Sequence, residues 1–508
     1  MKRKRTIFIK DWMTLHPFSK SGETDLYYTN LADKVCAIIE DSEYGKLLRN
    51  KGDLIYLSLC VTSWFEDVIS QLGIWKAFTT ECKQRYGTYI PFYDTDGTYI
   101  QDEINLADVK FLLWHHVQHI YFDNEFIYPN TDGLEETAEK IYELFDKEYE
   151  TAPENENLRR LLCTDEVTEN DFYQYRDLLK WFHYGCYFNL GNNKILRQSI
   201  ENAAHEAHNQ TELNLITYDI QNELVSVSRS NLLSLTTPEW MARIASLHPA
   251  RKIWAEAECK PVSYYTIERE DESYIYMKDL LTGEKGIKVN KLSVQMEHID
   301  KLIENKSIAT AVLFRYGSSW WLNGILSAVD NKKDTKEMIA KEKAKRRHTD
   351  EKAIYDRFKE ANGGKWYAFF KDRKALLQFL NNDMGFANMT MESLPEIKEV
   401  GDTILACATP HCGMRMLFGM APCIKSDDNP LYDEATAKKY AQNFLFNEEN
   451  IPYEVATLFN EKGMLPDATA ENEADPKLRN MLDANRQFII DYNLHGRRDT
   501  DLSPAGQW

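Results

Sequence analysis

The feature that most constrains this 508-residue chain is a change in the spacing of apolar residues near residue 260. Before that point, apolar side chains recur every three or four residues, for example from Asp53 to Leu72, which is the spacing of an amphipathic helix. After it, short runs rich in Val, Ile, Tyr, Phe and Trp alternate with charged or glycine-containing turns, which is typical of β-strands. The sequence therefore predicts a multi-domain α+β protein with an all-α N-terminal domain.

The β-rich part contains five short runs within about 70 residues, namely VSYYTIE, SYIYMKD, GIKV, ATAVLFRY and WWLNGILS. Sheets this short commonly close into a barrel, because closure removes the exposed strand edges. We therefore expect a small SH3-like or OB-like β-barrel. A mixture of helical and strand patterns near the C-terminus predicts a final α+β domain.

These patterns predict four successive parts. They are a helical domain of one or two packing units at 1–258, a small barrel at 259–330, a basic linker helix at 331–360, and an α+β domain at 361–508. The linker is basic because the segment from Lys332 to Arg347 contains eight Lys and Arg residues and three acidic residues. Such a run is typical of a solvent-exposed helix.

Composition narrows the location and the class of partner. The net charge of −19 opposes general nucleic-acid binding, which depends on neutralising phosphates, although a local basic patch is compatible with it. The nine cysteines are odd in number, lack a CxxC pair and sit partly in apolar runs, which favours a reducing compartment. No apolar stretch reaches 18 residues, so no membrane span is expected. We therefore expect a cytoplasmic protein.

Several motifs of common enzymes are absent from the sequence. It contains no GxG, GxxxxGK, GxSxG or HExxH, and no His preceded three positions earlier by Glu. These absences remove the Rossmann, P-loop, α/β-hydrolase and zincin signatures. They favour a non-enzymatic protein and leave catalysis by an unrecognised site open, and no cofactor is indicated.

The segment WHHVQHI is a candidate metal site. His115 and His119 are one helical turn apart, and Asp108 lies two turns earlier on nearly the same side. Glu66 or Asp67 on a neighbouring helix would supply oxygen ligands. The alternative is that the histidines flank a buried stripe and form hydrogen bonds between helices.

A second candidate lies in the segment CATPHCG, which brings Cys407, His411 and Cys412 close together in sequence. A turn between two strands is a plausible position for a metal ligand or a nucleophilic thiol. No second ligand pair with zinc-site spacing accompanies it, so the alternative is a structural role for these residues.

The barrel and the basic run together suggest an RNA-binding surface. Trp320 and Trp321 would stack on bases, and Lys345, Arg346 and Arg347 would contact phosphates. The alternative is that the basic run is simply a solvated helix face.

Several phrases resemble an uncharacterised family of Bacteroidetes proteins known only as a domain of unknown function. They are DWMTLHPF, SWFEDVISQLGIWKAF, INLADVKFLLWHHVQ, ANGGKWYAFFKDRKAL and MAPCIKSDDNPLYDE, and they span most of the chain. The resemblance implies a bacterial source and no particular activity. Separately, residues 262–327 are similar to a β-rich module found in proteins with a zinc motif like that of the SecA C-terminus, but the zinc motif itself is absent here.

The leading functional hypothesis from the sequence is a cytoplasmic interaction or adaptor protein with a protein partner. The first alternative is a metal-dependent enzyme or metal sensor that uses the helical histidines. The second is an RNA- or ribosome-associated protein that binds through the barrel and the basic helix.

Overall fold

The chain folds as a mixed α+β protein, with helices first and, among its described residues, two sheets later. The computed structural model describes residues 4–95, 97–121, 126–164, 168, 170–244, 248–294, 296–304, 307–348, 351–386, 389–394, 402–410, 412–446, 451–467 and 475–494. Its internal contacts divide the chain into two compact units. The first contains residues 1–230 and 235–343, and the second contains 231–234 and 344–508. The four-part division expected from sequence stays a prediction.

Helices form the first part of the first unit, as the apolar spacing predicts. The sequence pattern predicts a helix from Ile74 to Tyr86, and α4 has these bounds because Gly73 and Gly87, with φ angles of 84° and 78°, flank it. The helices are α1 (Ile9–Trp12), α2 (Asp25–Glu40), α3 (Lys51–Ser70), α4 (Ile74–Tyr86), α5 (Leu106–Tyr121), α6 (Leu134–Glu148), α7 (Glu156–Arg159), α8 (Phe172–Tyr184), α9 (Asn192–Glu206), α10 (Gln210–Val227), α11 (Thr237–Ile244) and α12 (Arg251–Ala255).

The sequence pattern predicts one helix over 194–232, but the chain forms two, α9 and α10. The break has a local cause. The side chain of Asn209 accepts a hydrogen bond from the backbone N–H of Glu212 at 2.9 Å and so caps the start of α10. A continuous helix would remove this cap.

A helix must be both long and apolar to cross a membrane, and α3 meets the first condition but not the second. Helix α3 is 20 residues long, but it includes Lys51, Asp53, Glu66 and Asp67. Within the described ranges, no helix is both long and apolar enough to cross a bilayer.

The β-rich part of the first unit is one sheet whose pairings return to their starting strand. The strand order is β1-β2-β3-β5-β4-β6, and β1 also pairs with β4. Strands β3 and β5 run parallel and meet at Val289 and Trp320, whereas the other described pairs of this sheet are antiparallel. The elements are β1 (Glu258–Glu270), β2 (Tyr274–Asp279), β3 (Ile287–Asn290), α13 (Met296–Glu304), β4 (Ile308–Tyr316), β5 (Ser319–Leu322) and β6 (Ser327–Val329).

The ring of strands surrounds its own apolar core. Residues of alternating positions point inward, including Tyr265, Ile275, Val289 and Leu313. Helix α13 adds Ile299 to this core and was not expected from the sequence. The run WWLNGILS, interpreted above as one strand, forms two strands, β5 and β6, that both pair with β4.

The second unit contains an antiparallel sheet ordered β7-β8-β9, in which β8 is fully buried. Phe358, Phe370 and Leu380 belong to the core that packs against it. Helix α14 (Lys333–His348) precedes this unit in the sequence. The elements of the unit are α15 (Glu351–Ala361), β7 (Tyr367–Phe370), α16 (Arg373–Gln378), β8 (Ile404–Thr409), β9 (Gly413–Phe418), α17 (Glu434–Phe446), α18 (Tyr453–Glu461), α19 (Pro476–Ala484) and α20 (Arg486–Asn493).

Candidate functional site

Strand β2 separates its side chains between the core and solvent. Ile275 and Met277 are fully buried inside the ring of strands. Because side chains alternate along a strand, Tyr274, Tyr276 and Lys278 lie together on its outer side, where all three are partly exposed.

Two cations from the neighbouring strands lie over the two tyrosine rings. The guanidinium carbon of Arg269 on β1 is 3.4 Å from the ring centroid of Tyr276, its partner in the strand register. The ammonium of Lys288 on β3 is 3.8 Å from the ring centroid of Tyr274. We call Arg269, Tyr274, Tyr276, Lys278 and Lys288 the outer face.

The turn between β1 and β2 is held by Asp271. Its carboxylate accepts hydrogen bonds from the backbone N–H groups of Ser273 at 2.9 Å and Tyr274 at 2.8 Å, and from the hydroxyl of Tyr276 at 2.9 Å. These bonds, first that from Ser273, lower the pKa of Asp271 below its ordinary value. Both tyrosines are therefore attached to a turn with a fixed conformation.

The outer face contains three cations, Arg269, Lys278 and Lys288, beside the carboxylate of Asp271. Among the described residues, neither Lys278 nor Lys288 forms an ion pair, whereas the nearby Glu270 is paired with Lys291 at 2.8 Å. Two rings on one strand, two residues apart, are separated by about 6.6 Å. Such a surface can stack planar groups of a ligand and attract negative charge between them.

Helix α14 contacts the same ring of strands. Ile339 on α14 packs against Leu281 and Ile308, with Tyr264 at the edge of the contact. Residues 333–348 form a basic helix, and the linker helix expected over 331–360 stays a prediction. The side chains of Lys345, Arg346 and Arg347, to which phosphate contacts were assigned from sequence, lie outside the described part of this helix.

The two tryptophans proposed for base stacking have different environments. Trp321 is fully buried, and its ring stacks on Phe172 of α8 at 5.2 Å between centroids. Trp320 is partly exposed and lies beneath the ammonium of Lys260 at 4.8 Å. Trp321 therefore joins the strands to the helices, and Trp320 alone retains access to solvent.

The residues proposed as metal ligands, Asp108, His115 and His119, lie on α5, and their role as ligands stays a prediction. Over the described ranges, no three His, Cys, Asp or Glu residues are grouped so that they could hold a metal ion. Asp108 accepts hydrogen bonds from Tyr99 at 2.9 Å and Asn105 at 3.2 Å, and burial raises its pKa to about 7. Burial also lowers the pKa of His115 well below its ordinary value. His119 lies against Gly191, where an added Cβ would be 2.9 Å from the imidazole.

The acidic residues on α3 have other partners. Glu66 is 2.7 Å from the imidazole of His16 and accepts a hydrogen bond from Asn155 at 2.9 Å. Asp67 accepts hydrogen bonds from the backbone N–H of Trp75 and the hydroxyl of Tyr187, both at 2.7 Å. Asp67 therefore caps the start of α4.

Asp67 also lines a cavity of about 560 Å³ between α3, α4 and α11. Burial raises the pKa of Asp67 to about 6, against an ordinary value of 3.8. A buried acid in a cavity is a general indicator of a functional site. Here the carboxylate is already used as a helix cap, which explains its burial without a ligand.

The cysteine segment of the second unit is only partly described. Cys407 is fully buried on β8, and burial raises the pKa of its thiol well above the ordinary value. His411 lies outside the described residues. A thiol with a raised pKa is a poor nucleophile at neutral pH, so Cys407 acts as a small apolar core residue.

The sequence interpretation recognised SYIYMKD as a strand but did not identify the outer face. The signal was present, because tyrosines alternate with apolar residues in YIYM and Lys278 continues the outward positions. The contributions of Arg269 and Lys288 depend on strand register, which the sequence pattern does not contain.

No curated protein and no solved structure matches this chain. A family model described as a protein of unknown function, DUF3843, matches residues 6–309 and 318–495. The chain therefore belongs to this family of proteins of unknown function.

Proposed function

We propose that the ring of strands is an OB-like barrel and that its outer face binds single-stranded nucleic acid. The observation that carries the proposal is the pair Tyr274 and Tyr276, each with a cation over its ring, on the outer side of β2. The cytoplasmic location expected from sequence remains part of the same proposal.

The strand order supports the OB-like interpretation. An OB-fold is a five-stranded Greek-key barrel that binds oligonucleotides or oligosaccharides on the face of its second and third strands. Here β1 pairs with both β2 and β4, β3 pairs with β5, and α13 connects β3 to β4. The outer face lies on β2 and β3, with Arg269 contributed by β1. Because a shared fold does not identify a ligand, the ligand class is inferred from the side chains of the outer face.

The chemistry of the outer face favours nucleic acid over sugar. Every base has a flat face that stacks on an aromatic ring, and stacking contributes about 1–3 kcal/mol per base. Guanidinium groups such as that of Arg269 also stack on bases, and Lys278 and Lys288 form no ion pair within the described residues. A neutral sugar would not need these three cations.

The overall charge limits the mode of binding. With a net charge of −19, the protein repels a polyanion at long range, so the affinity must come mainly from stacking. Three cations that each neutralise one phosphate give a logarithmic salt slope of about −2 for a single strand. We therefore expect weak, only moderately salt-dependent binding.

The test is fluorescence anisotropy of the full-length protein with labelled oligo-uridine and oligo-thymidine. Replacing both tyrosines, Tyr274→Ala and Tyr276→Ala, should weaken binding at least about 25-fold, since two stacked bases together contribute about 2–6 kcal/mol. Tyr218→Ala is the matched control. It removes a tyrosine that also lies beneath a lysine, Lys180 at 5.0 Å, but on α10 instead of the barrel.

Two results would contradict the proposal. One is the absence of binding to either oligonucleotide at low salt. The other is equal loss of affinity in the barrel variant and the control. Affinity capture from the native host, with and without nuclease, distinguishes nucleic-acid binding from the adaptor hypothesis. Capture of a protein that depends on the outer face but resists nuclease would favour a protein partner instead.

A further inference from the structure

Helix α14 packs against the barrel beside the C-terminal end of β2, next to the outer face. Lys278 is followed two residues later by Leu280, whose backbone N–H donates to the carbonyl of Tyr264 at 2.7 Å. Leu280 and Tyr264 both pack beside Ile339 of α14. The outer face and the docked helix are therefore consecutive along the barrel surface.

The contact of Ile339 with the barrel determines which lysines of α14 lie beside the barrel. At 3.6 residues per turn, Lys336 and Lys343 fall about 40–60° to one side of Ile339, roughly 10 Å apart along the axis. Thr335 and Glu342 fall on its other side. Lys336 is exposed and Lys343 is half-buried, and neither forms an ion pair among the described residues.

We propose that a single strand bound on the outer face continues onto α14, where Lys336 and Lys343 contact its phosphates. This inference rests on the function proposed above and defines its ligand as a strand long enough to reach both surfaces. Six residues separate Tyr274 from Leu280, a distance of about 20 Å along β2. A strand that spans it and reaches the helix is longer than the shortest sites of about four nucleotides that one OB-fold binds.

The experiment compares two lengths of labelled single strand, about four and about twelve nucleotides, in RNA and DNA form. The variant is Lys336→Gln with Lys343→Gln, because Gln keeps a good helix propensity while removing the charge. For the longer strand, the logarithmic salt slope should fall in magnitude by about 1.4, since each lost phosphate contact contributes about 0.7. Binding of the shorter strand should be unchanged.

A matched control lies on the same helix. Lys333 is paired with Glu337 at 3.6 Å and points about 120° away from Ile339, so Lys333→Gln should leave both strand lengths unaffected. If the double variant does not change the slope for the longer strand, the continuation onto α14 is wrong while the outer face stands. If it weakens both lengths equally, the lysines act on the barrel and the continuation is again wrong. If neither length binds to the unmodified protein, the proposed function fails as well.

Discussion

The ring of strands β1 to β5 presents aromatic residues on two outer sides, one covered by helices and one partly exposed. On the side of β4 and β5, Phe314, Tyr316 and Trp321 are buried against α8, and we call these three residues the covered face. On the side of β2, Tyr274 and Tyr276 remain partly exposed beneath cations. Both sides arise from the same alternation along a strand.

The difference lies in what each ring contacts. On the covered face, Tyr175 stacks on Tyr316 at 5.2 Å and on Trp254 at 5.0 Å, so helices supply the partners. On the outer face, the partners are single charged side chains that a ligand can share or displace. Substitutions in the covered face should therefore change stability, and substitutions in the outer face should change binding.

The largest effect is expected for Trp321→Ala in the covered face. Loss of a fully buried aromatic side chain should lower the free energy of unfolding by about 3–5 kcal/mol, measured by denaturant titration. Tyr276→Ala is the comparison and should change it by less than about 1 kcal/mol. Equal destabilisation by both substitutions would remove the distinction between the two faces.

The buried ion pair of His16 and Glu66 should likewise contribute to the free energy of unfolding, in a way that depends on pH. Burial alone lowers the pKa of His16, but the Glu66 carboxylate at 2.7 Å and the carbonyl of Trp12 at 3.0 Å raise it above the ordinary value of 6.5. The charged form therefore stabilises the fold fully below about pH 6.5, and this contribution disappears as pH rises through the folded pKa.

His16→Gln should thus lower the free energy of unfolding by about 1.5–3 kcal/mol at mildly acidic pH. The gap between the unmodified protein and the variant should narrow as the pH increases, because only the unmodified protein loses a charge there. Denaturant titrations at several pH values measure the gap. A gap that is constant or widens with pH would show that His16 is not charged in the folded protein.

A smaller effect is expected for Tyr276→Phe on the outer face. The substitution removes the hydrogen bond to Asp271 but keeps the ring. Oligonucleotide affinity should stay within about twofold, whereas Tyr276→Ala weakens it by the contribution of one stacked base. If Phe and Ala weaken binding equally, the hydroxyl and not the ring face contacts the ligand.

The smallest effect is expected for Lys288→Met. Removing one cation should reduce the logarithmic salt slope by about 0.7 and leave stability within about 0.5 kcal/mol. Anisotropy titrations across a range of salt concentrations measure the slope. An unchanged slope would mean that Lys288 only orients Tyr274.

Local signals in the sequence predict much of the fold. Gly73 and Gly87 bound α4 because their positive φ angles suit glycine, and the alternation in YIYM predicts β2. The sequence pattern does not predict the break before α10, although Asn209 is a strong capping residue, because no Gly or Pro lies near it. These successes and the failure all depend on contacts within a few residues.

The candidate site depends on contacts between distant residues, and sequence reasoning reached it only in part. Aromatic content selected Trp320 and Trp321, but no local pattern reveals that Phe172 covers Trp321. Likewise, Arg269 and Lys288 lie over the tyrosines only because of the pairing register of three strands. The sequence therefore indicated a barrel and a nearby basic helix but not the surface that they share.

The double pairing of β1 has a consequence for synthesis of the chain. Its second partner, β4, ends at Tyr316, 46 residues after β1 ends at Glu270. At about 5–20 residues per second, a nascent chain therefore holds β1 with an open edge for about 2 to 9 seconds. Exposed strand edges pair with other strands. A nascent chain that is interrupted between β3 and β4 should therefore self-associate, whereas the completed ring of strands should not.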